Sequence, residues 1–111
     1  MVDQAIVSAV RDYLRCLQDH GVLVRFGVVF GSHVNGKADE WSDIDLLVVS
    51  PRFDSLHDRK DVDLLWQLAA QSDSRIEPIP CGARQWEEDD SSAIIEIARR
   101  EGERVTLSEK N

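Results

Sequence analysis

Residues Phe30-Gly31-Ser32-His33-Val34-Asn35-Gly36-Lys37-Ala38-Asp39-Glu40-Trp41-Ser42-Asp43-Ile44-Asp45-Leu46-Leu47-Val48-Val49 decide how this chain folds. An apolar run ends at Phe30, a glycine-bearing polar stretch spans 31–42, and a second apolar run fills 44–49. Near-continuous Leu and Val over 44–49 predict a strand covered on both faces. Pro51 stops it. Upstream, 22–30 is β-branched and aromatic and predicts the first strand. The stretch 31–42 reads as a loop or short helical turn.

Working outward, 4–19 predicts an amphipathic helix, because Ile6, Val10, Leu14 and Leu17 recur at helical spacing with Val7 and Tyr13 widening the stripe. Gly21 sits where a helix-ending glycine belongs. A second helix is predicted over 58–71, burying Val62, Leu65, Leu68 and Ala69. Residues 75–79 predict a third strand, placed by Pro78 at a sheet edge or near the strand's own end. A last helix is expected over 91–101, with Glu87, Glu88, Asp89 and Asp90 ahead of it and Arg99 and Arg100 near its end, both suited to the helix dipole. Gly102 ends it, and Val105 and Leu107 alternate as a short final strand. The order α-β-loop-β-α-β-α implies one α/β domain over 1–111.

The 111 residues carry 21 acidic and 13 basic side chains, a net charge of −8. Such a chain repels polyanions at long range, so direct nucleic-acid binding is not expected. Divalent cations and basic protein surfaces suit it better. Cys16 and Cys81 fit no metal spacing and read as free thiols in a reducing compartment. No run approaches membrane-spanning length, and the start lacks the basic and apolar character of a signal peptide. A cytoplasmic protein with no membrane contact is expected.

The chemistry lies in Gly31-Ser32, ten residues, then Asp43-Ile44-Asp45. Residues two apart on a strand share a face, so two carboxylates project side by side, with Cα atoms roughly 6–7 Å apart. Like charges so close repel, and a Leu-Leu-Val-Val strand has no structural need of them. A hard divalent cation supplies the reason. Oxygen ligands without clustered His or Cys favour Mg²⁺ or Mn²⁺. Gly31 lets the backbone approach a phosphate, and Ser32 and the following turn offer a hydroxyl and N–H donors. Glu77, between Ile76 and Pro78, is the choice for a third carboxylate; Asp73 is the runner-up. Asp61 and Asp63 fall inside a helix, where residues two apart do not face each other.

Gly31-Ser32-x10-Asp43-x-Asp45 resembles the signature of the polymerase-β-like nucleotidyltransferase superfamily. The stretch from Phe30 to Val49 is similar to its minimal, MNT-type branch, and Arg75-Ile76-Glu77-Pro78-Ile79 to that branch's third-carboxylate strand. The resemblance implies a small mixed sheet with flanking helices and Mg²⁺-dependent transfer of AMP from ATP. It implies two metal ions held by Asp43 and Asp45, with Glu77 holding one and helping to deprotonate an acceptor hydroxyl. Gly31 and Ser32 would hold the terminal phosphates. Relatives often carry Lys or Arg where this chain has Asn35, and Lys37 is expected to take over. Minimal members often pair with a HEPN-domain ribonuclease toxin, some silencing it by adenylylating a tyrosine. A HEPN-type partner, in a hetero-oligomer with this chain as antitoxin, is the corresponding expectation.

Blander readings compete. Asp43 could cap a turn, Glu77 could be an edge-strand residue, Ser32 a helix cap and Lys37 a plain surface lysine. His20, His33 and His57 read as spectators, and Trp41, Trp66 and Trp86 as core or interface aromatics. Gly31 to Lys37 mimics a Walker A loop, but Ala38 stands where Ser or Thr should be, and no crossover helix fits before the next strand. A non-catalytic antitoxin or scaffold of the same fold is the alternative function. A small-molecule transferase would need acceptor-pocket helices for which 111 residues leave no space.

Overall fold

The computed structural model describes residues 2–39, 41–54 and 58–108; His57 lies outside them. Helix α1 spans Gln4–Asp19, its first turn capped by Asp3, whose carboxylate accepts from the Ala5 N–H. Ile6, Val10, Tyr13, Leu14 and Leu17 are buried along its inner face. Gly21, at φ 91°, ends it with N–H bonds back to the last turn, the left-handed geometry glycine tolerates best.

Strand β1 runs Phe26–Phe30, shorter than the expected 22–30. Val22 and Val24 are buried, but the Val22 N–H bonds to Leu17 O and the Val24 N–H to Gln18 Oε1. Their donors serve the helix end rather than a ladder, so this arm stays outside the strand. A one-turn helix α2, Ser32–Asn35, follows. Strand β2 spans Ile44–Ser50, and Pro51–Asp54 form a 3-10 turn beyond it. Helix α3 is Arg59–Ser72 and β3 is Ile76–Gly82. Two elements close the chain: α5, Ala93–Glu101, and β4, Glu103–Val105, which starts and stops earlier than the Val105–Leu107 alternation suggested.

Helix α4, Ala83–Glu88, was not expected. Its first N–H groups, on Arg84 and Gln85, are capped by Asp54, thirty residues away. Glu87 and Glu88 therefore end α4 rather than precede α5. Only Asp89 and Asp90 stand ahead of α5, with Asp89 accepting from the Ser91 and Ser92 N–H groups.

The sheet order is β3-β2-β1-β4. β1 pairs antiparallel with β2 and with β4, while β2 and β3 run parallel. The sheet is thus mixed, and β3 with its two prolines is an edge, where a missing N–H costs least. Alternation along β2 divides the core. Ile44, Leu46 and Val48 pack against α1 and α3, whereas Leu47 and Val49 join Val28, Phe30, Cys81, Ile95 and Ala98 on the opposite face. β2 is covered on both sides, which explains its unbroken apolar run.

Tyr13 is fully buried between the helices and donates its hydroxyl to Leu65 O at 2.8 Å. Burial pushes its phenol far above the usual range. Tyr13→Phe removes that bond while keeping the ring. The expected loss is about 0.5–1.5 kcal/mol, or roughly 4–8 °C per kcal/mol in a domain this size. A thermal melt of the variant that overlays the parent would show that the bond contributes nothing.

Candidate functional site

The antiparallel pairing of β1 and β2 sets Phe30 opposite Asp45, so the end of β1 meets the beginning of β2. The parallel pairing sets Asp45 opposite Glu77. The site therefore lies beyond the C-terminal end of β1 but at the N-terminal ends of β2 and β3, unlike the all-carboxyl-end crevice of parallel sheets. Asp45 and Glu77 share strand parity with Leu47, Val49, Ile79 and Cys81, so both leave the sheet on the α4–α5 face. Asp43 stands one residue before β2 with the same parity.

Three carboxylates thus gather at one end of the sheet. Burial pushes the Asp45 carboxyl up, Asp43 adds repulsion, and His33 partly offsets both. Glu77 is raised chiefly by a hydrogen bond with the Asp43 side chain, then by burial and by the charges of Asp43 and Asp45. The mutual repulsion of these carboxylates opposes their joint ionisation.

Among the described residues, no three Asp, Glu, His or Cys side chains are grouped so as to hold an ion by themselves. The donor set nonetheless fits Mg²⁺, which binds through one or two carboxylates and completes its octahedron with water and substrate phosphates.

The repulsion has a measurable consequence. A carboxyl whose pKa is higher in the folded state holds its proton more tightly there. Native stability therefore falls as pH climbs from the unfolded values of about 4 through the raised ones. Asp45→Asn is expected to melt above the parent near pH 7 in EDTA, with the gap closing by about pH 3. Coincident melting curves at pH 7 would show that Asp45 carries no such penalty.

Gly31 fixes the other side of the site. Its backbone, at φ 79° and ψ −144°, abuts the Asp45 carboxylate so closely that any β-carbon would collide with it. That conformation is nearly glycine-specific. Ser32 opens α2, and the Val34 and Asn35 N–H groups turn back to Gly31 O. Beside Ser32 opens a cleft of about 440 Å³, lined also by Asp3, His33, Gly36, Asp39 and Arg75. Lys37 is exposed past the Gly36 cap and does not line it.

Two cleft residues were not anticipated. His33, read as a spectator, places Nε2 3.2 Å from Ser42 O and acts electrostatically on both Asp45 and Asp73. Arg75 grips Asp73 through Nε and Nη2, at 3.0 and 2.7 Å, and holds that carboxyl below the usual range. Asp73, the runner-up third carboxylate, is thereby committed to a guanidinium, while Glu77 joins the cluster. Only the spacing Asp73-x-Arg75 hinted at this, and such a pair is commonplace on surfaces.

The other carboxylate pair is also accounted for, since Asp61 is paired with Arg52 at 2.7 Å. Trp41 is 82% exposed on a turn braced by Asp39. Trp86 packs edge-on against Phe26 beneath Arg99. No described helix is long and apolar enough to cross a membrane.

Comparison with known proteins adds an independent line. A family model described as nucleotidyltransferase domain matches residues 10–100, most of the chain. A solved structure titled "Crystal structure of the toxin-antitoxin with AMP-PNP" is similar at 20% identity, with a TM-score of 0.61 over 93% of this chain and 74% of that one. At that identity the likeness speaks for the fold. No curated protein sequence matches.

Proposed function

The chain belongs to the nucleotidyltransferase domain family, and from that premise we propose that it transfers AMP from ATP, with Mg²⁺, to a hydroxyl group of a partner protein. The observation that carries this reading is the register that sets Asp45 beside Glu77 and against the backbone of Gly31. Asp43, Asp45 and Glu77 are the residues suited to hold Mg²⁺, two ions when nucleotide is bound. Bound there, the metal supplies neutralisation of the triphosphate and of the oxygens that gain charge during transfer.

The chain's own residues do the rest. The acceptor oxygen bonds to the α-phosphorus as the bond to the departing pyrophosphate breaks. Glu77, whose carboxyl is already biased toward protonation, takes the hydroxyl proton. Ser32, Gly31 and the turn of α2 offer hydroxyl and N–H donors to the phosphates. Lys37 lends positive charge from the rim.

The partner proposed is a HEPN-type ribonuclease toxin, with this chain as its antitoxin. The toxin–antitoxin structure with AMP-PNP that shares this fold supports that assignment, as does an acidic chain meeting a basic surface. The test is incubation with α-labelled ATP, Mg²⁺ and candidate HEPN proteins. Label should appear on a partner side chain and vanish with EDTA; a set of bound partners that all stay unlabelled would overturn the assignment.

A second reading has one observation behind it, the lack of a self-sufficient three-ligand group among the described residues. On that reading the chain neutralises its partner by contact alone. Neutralisation that survives Asp43→Asn with Asp45→Asn would favour it.

A further inference from the structure

We infer that His33 is a positioning residue for nucleotide transfer: its bond from Nε2 to the Ser42 carbonyl ties the Gly31-Ser32 turn to the segment that leads into Asp43 and Asp45. The inference rests on the transfer reading of this site. The β1–β2 ladder ends with Phe30 opposite Asp45, so the chain on either side of it must be held by other bonds. On one side, the Val34 and Asn35 N–H groups turn back to Gly31 O and the Lys37 N–H to Ser32 O. On the other, Asp39 and Ser42 close a turn of their own, which also takes the Trp41 N–H. Each turn is satisfied within itself, so neither fixes the other. Among the described residues, the contact between His33 Nε2 and Ser42 O, at 3.2 Å, is the one hydrogen bond joining 31–37 to 38–43.

The chemistry of the pair fixes its sense. A carbonyl oxygen only accepts, so Nε2 carries the proton. The ring is half-buried and follows Ser32 directly, so one short segment bears both the phosphate hydroxyl and the strut. Ser42 O belongs to the peptide unit that leads into Asp43. That unit is planar, so holding its carbonyl orients the backbone from which the Asp43 side chain departs. Asp43 in turn bonds the Glu77 side chain. The ring also acts on Asp45, drawing its carboxyl down where burial and Asp43 push it up. Phosphate donors and carboxylates are therefore held at one separation before a substrate arrives, as an in-line transfer requires.

The experiment compares His33→Ala and His33→Gln in the full chain. Single-turnover transfer from α-labelled ATP is measured on the partner protein that the parent labels, and affinity for Mg²⁺ with ATP by titration calorimetry. Glutamine offers an amide N–H at about the reach of Nε2, and alanine offers none. His33→Ala is expected to slow transfer on the order of 10–100-fold, the cost of misplacing a reacting group, while ATP affinity changes less than about threefold. His33→Gln should transfer within about threefold of the parent, because one neutral hydrogen bond replaces another. Parental transfer by His33→Ala overturns the inference and leaves the transfer reading standing. So does a His33→Gln variant as slow as His33→Ala, which would assign the effect to the charge of the ring. Equal losses of rate and of ATP affinity would mark a collapsed site and overturn it as well. Should His33→Ala fail to fold, nitrogen-15 NMR of the parent decides: a proton on Nε2 is expected, and a ring protonated on Nδ1 alone is the overturning result. A parent that labels no partner sinks both readings together.

Discussion

Asp43→Asn and Asp45→Asn are each expected to lower nucleotidyl transfer on the order of 10³-fold without unfolding the chain. Asparagine keeps the shape and one oxygen of the carboxylate but removes the charge. In water a single charge is a small term, but at the mouth of a packed sheet it is not. Asp45 is partly buried and already repelled by Asp43, so in the parent a bound cation would relieve a standing penalty. The variant has no penalty to relieve and holds the cation poorly. Loss of several kcal/mol of charge stabilisation at the transferring phosphate corresponds to roughly that rate factor. Single-turnover transfer of label, read beside a melting curve, checks both halves. A variant that melts at or above the parent yet transfers at parental rate would remove Asp45 from the machinery. Stability gained where activity is lost is the trade expected of a functional carboxylate cluster.

Gly31→Ala is expected to injure stability and transfer together. At φ 79° and ψ −144° an L side chain is strained by about 1–3 kcal/mol, which predicts a fall in Tm of several degrees. The added methyl would also strike the Asp45 carboxylate, so backbone or carboxylate must move. A displacement of about 1 Å at a reacting centre costs on the order of 10²-fold. Gly21→Ala is the control. Gly21 also has positive φ, but nothing lies within 4 Å of its β-position, and it closes α1 at a turn that contributes nothing to the site. That variant should melt lower yet transfer normally below its melting point. Equal transfer by Gly31→Ala and Gly21→Ala would show that the contact between Gly31 and Asp45 does not position the carboxylate.

The amino-acid sequence by itself determined the elements whose signal is local. The α1 stripe from Ile6 to Leu17, the doubly covered run of β2 and the shared face of Asp43 and Asp45 all follow from periodicities of 3.6 and 2, which neighbours along the chain impose. The glycine-serine turn and its spacing from the aspartates were legible for the same reason, and they carried the family.

What the tertiary structure alone decided is whatever depends on residues far apart in sequence. The carboxylate that caps the Arg84 and Gln85 N–H groups of α4 comes from Asp54, far outside 83–88, and Gln85 adds only a bond to the Gly82 N–H. The arm at 22–24 reads as strand until Leu17 takes the Val22 N–H and Gln18 the Val24 N–H. The placing of Glu77 rather than Asp73 beside Asp45 was settled by strand register and by the hold of Arg75 on Asp73. Register is fixed by packing across the whole sheet, and a carboxylate's partner by which cation the fold brings within 3 Å. Neither quantity is written in the spacing of residues along one strand.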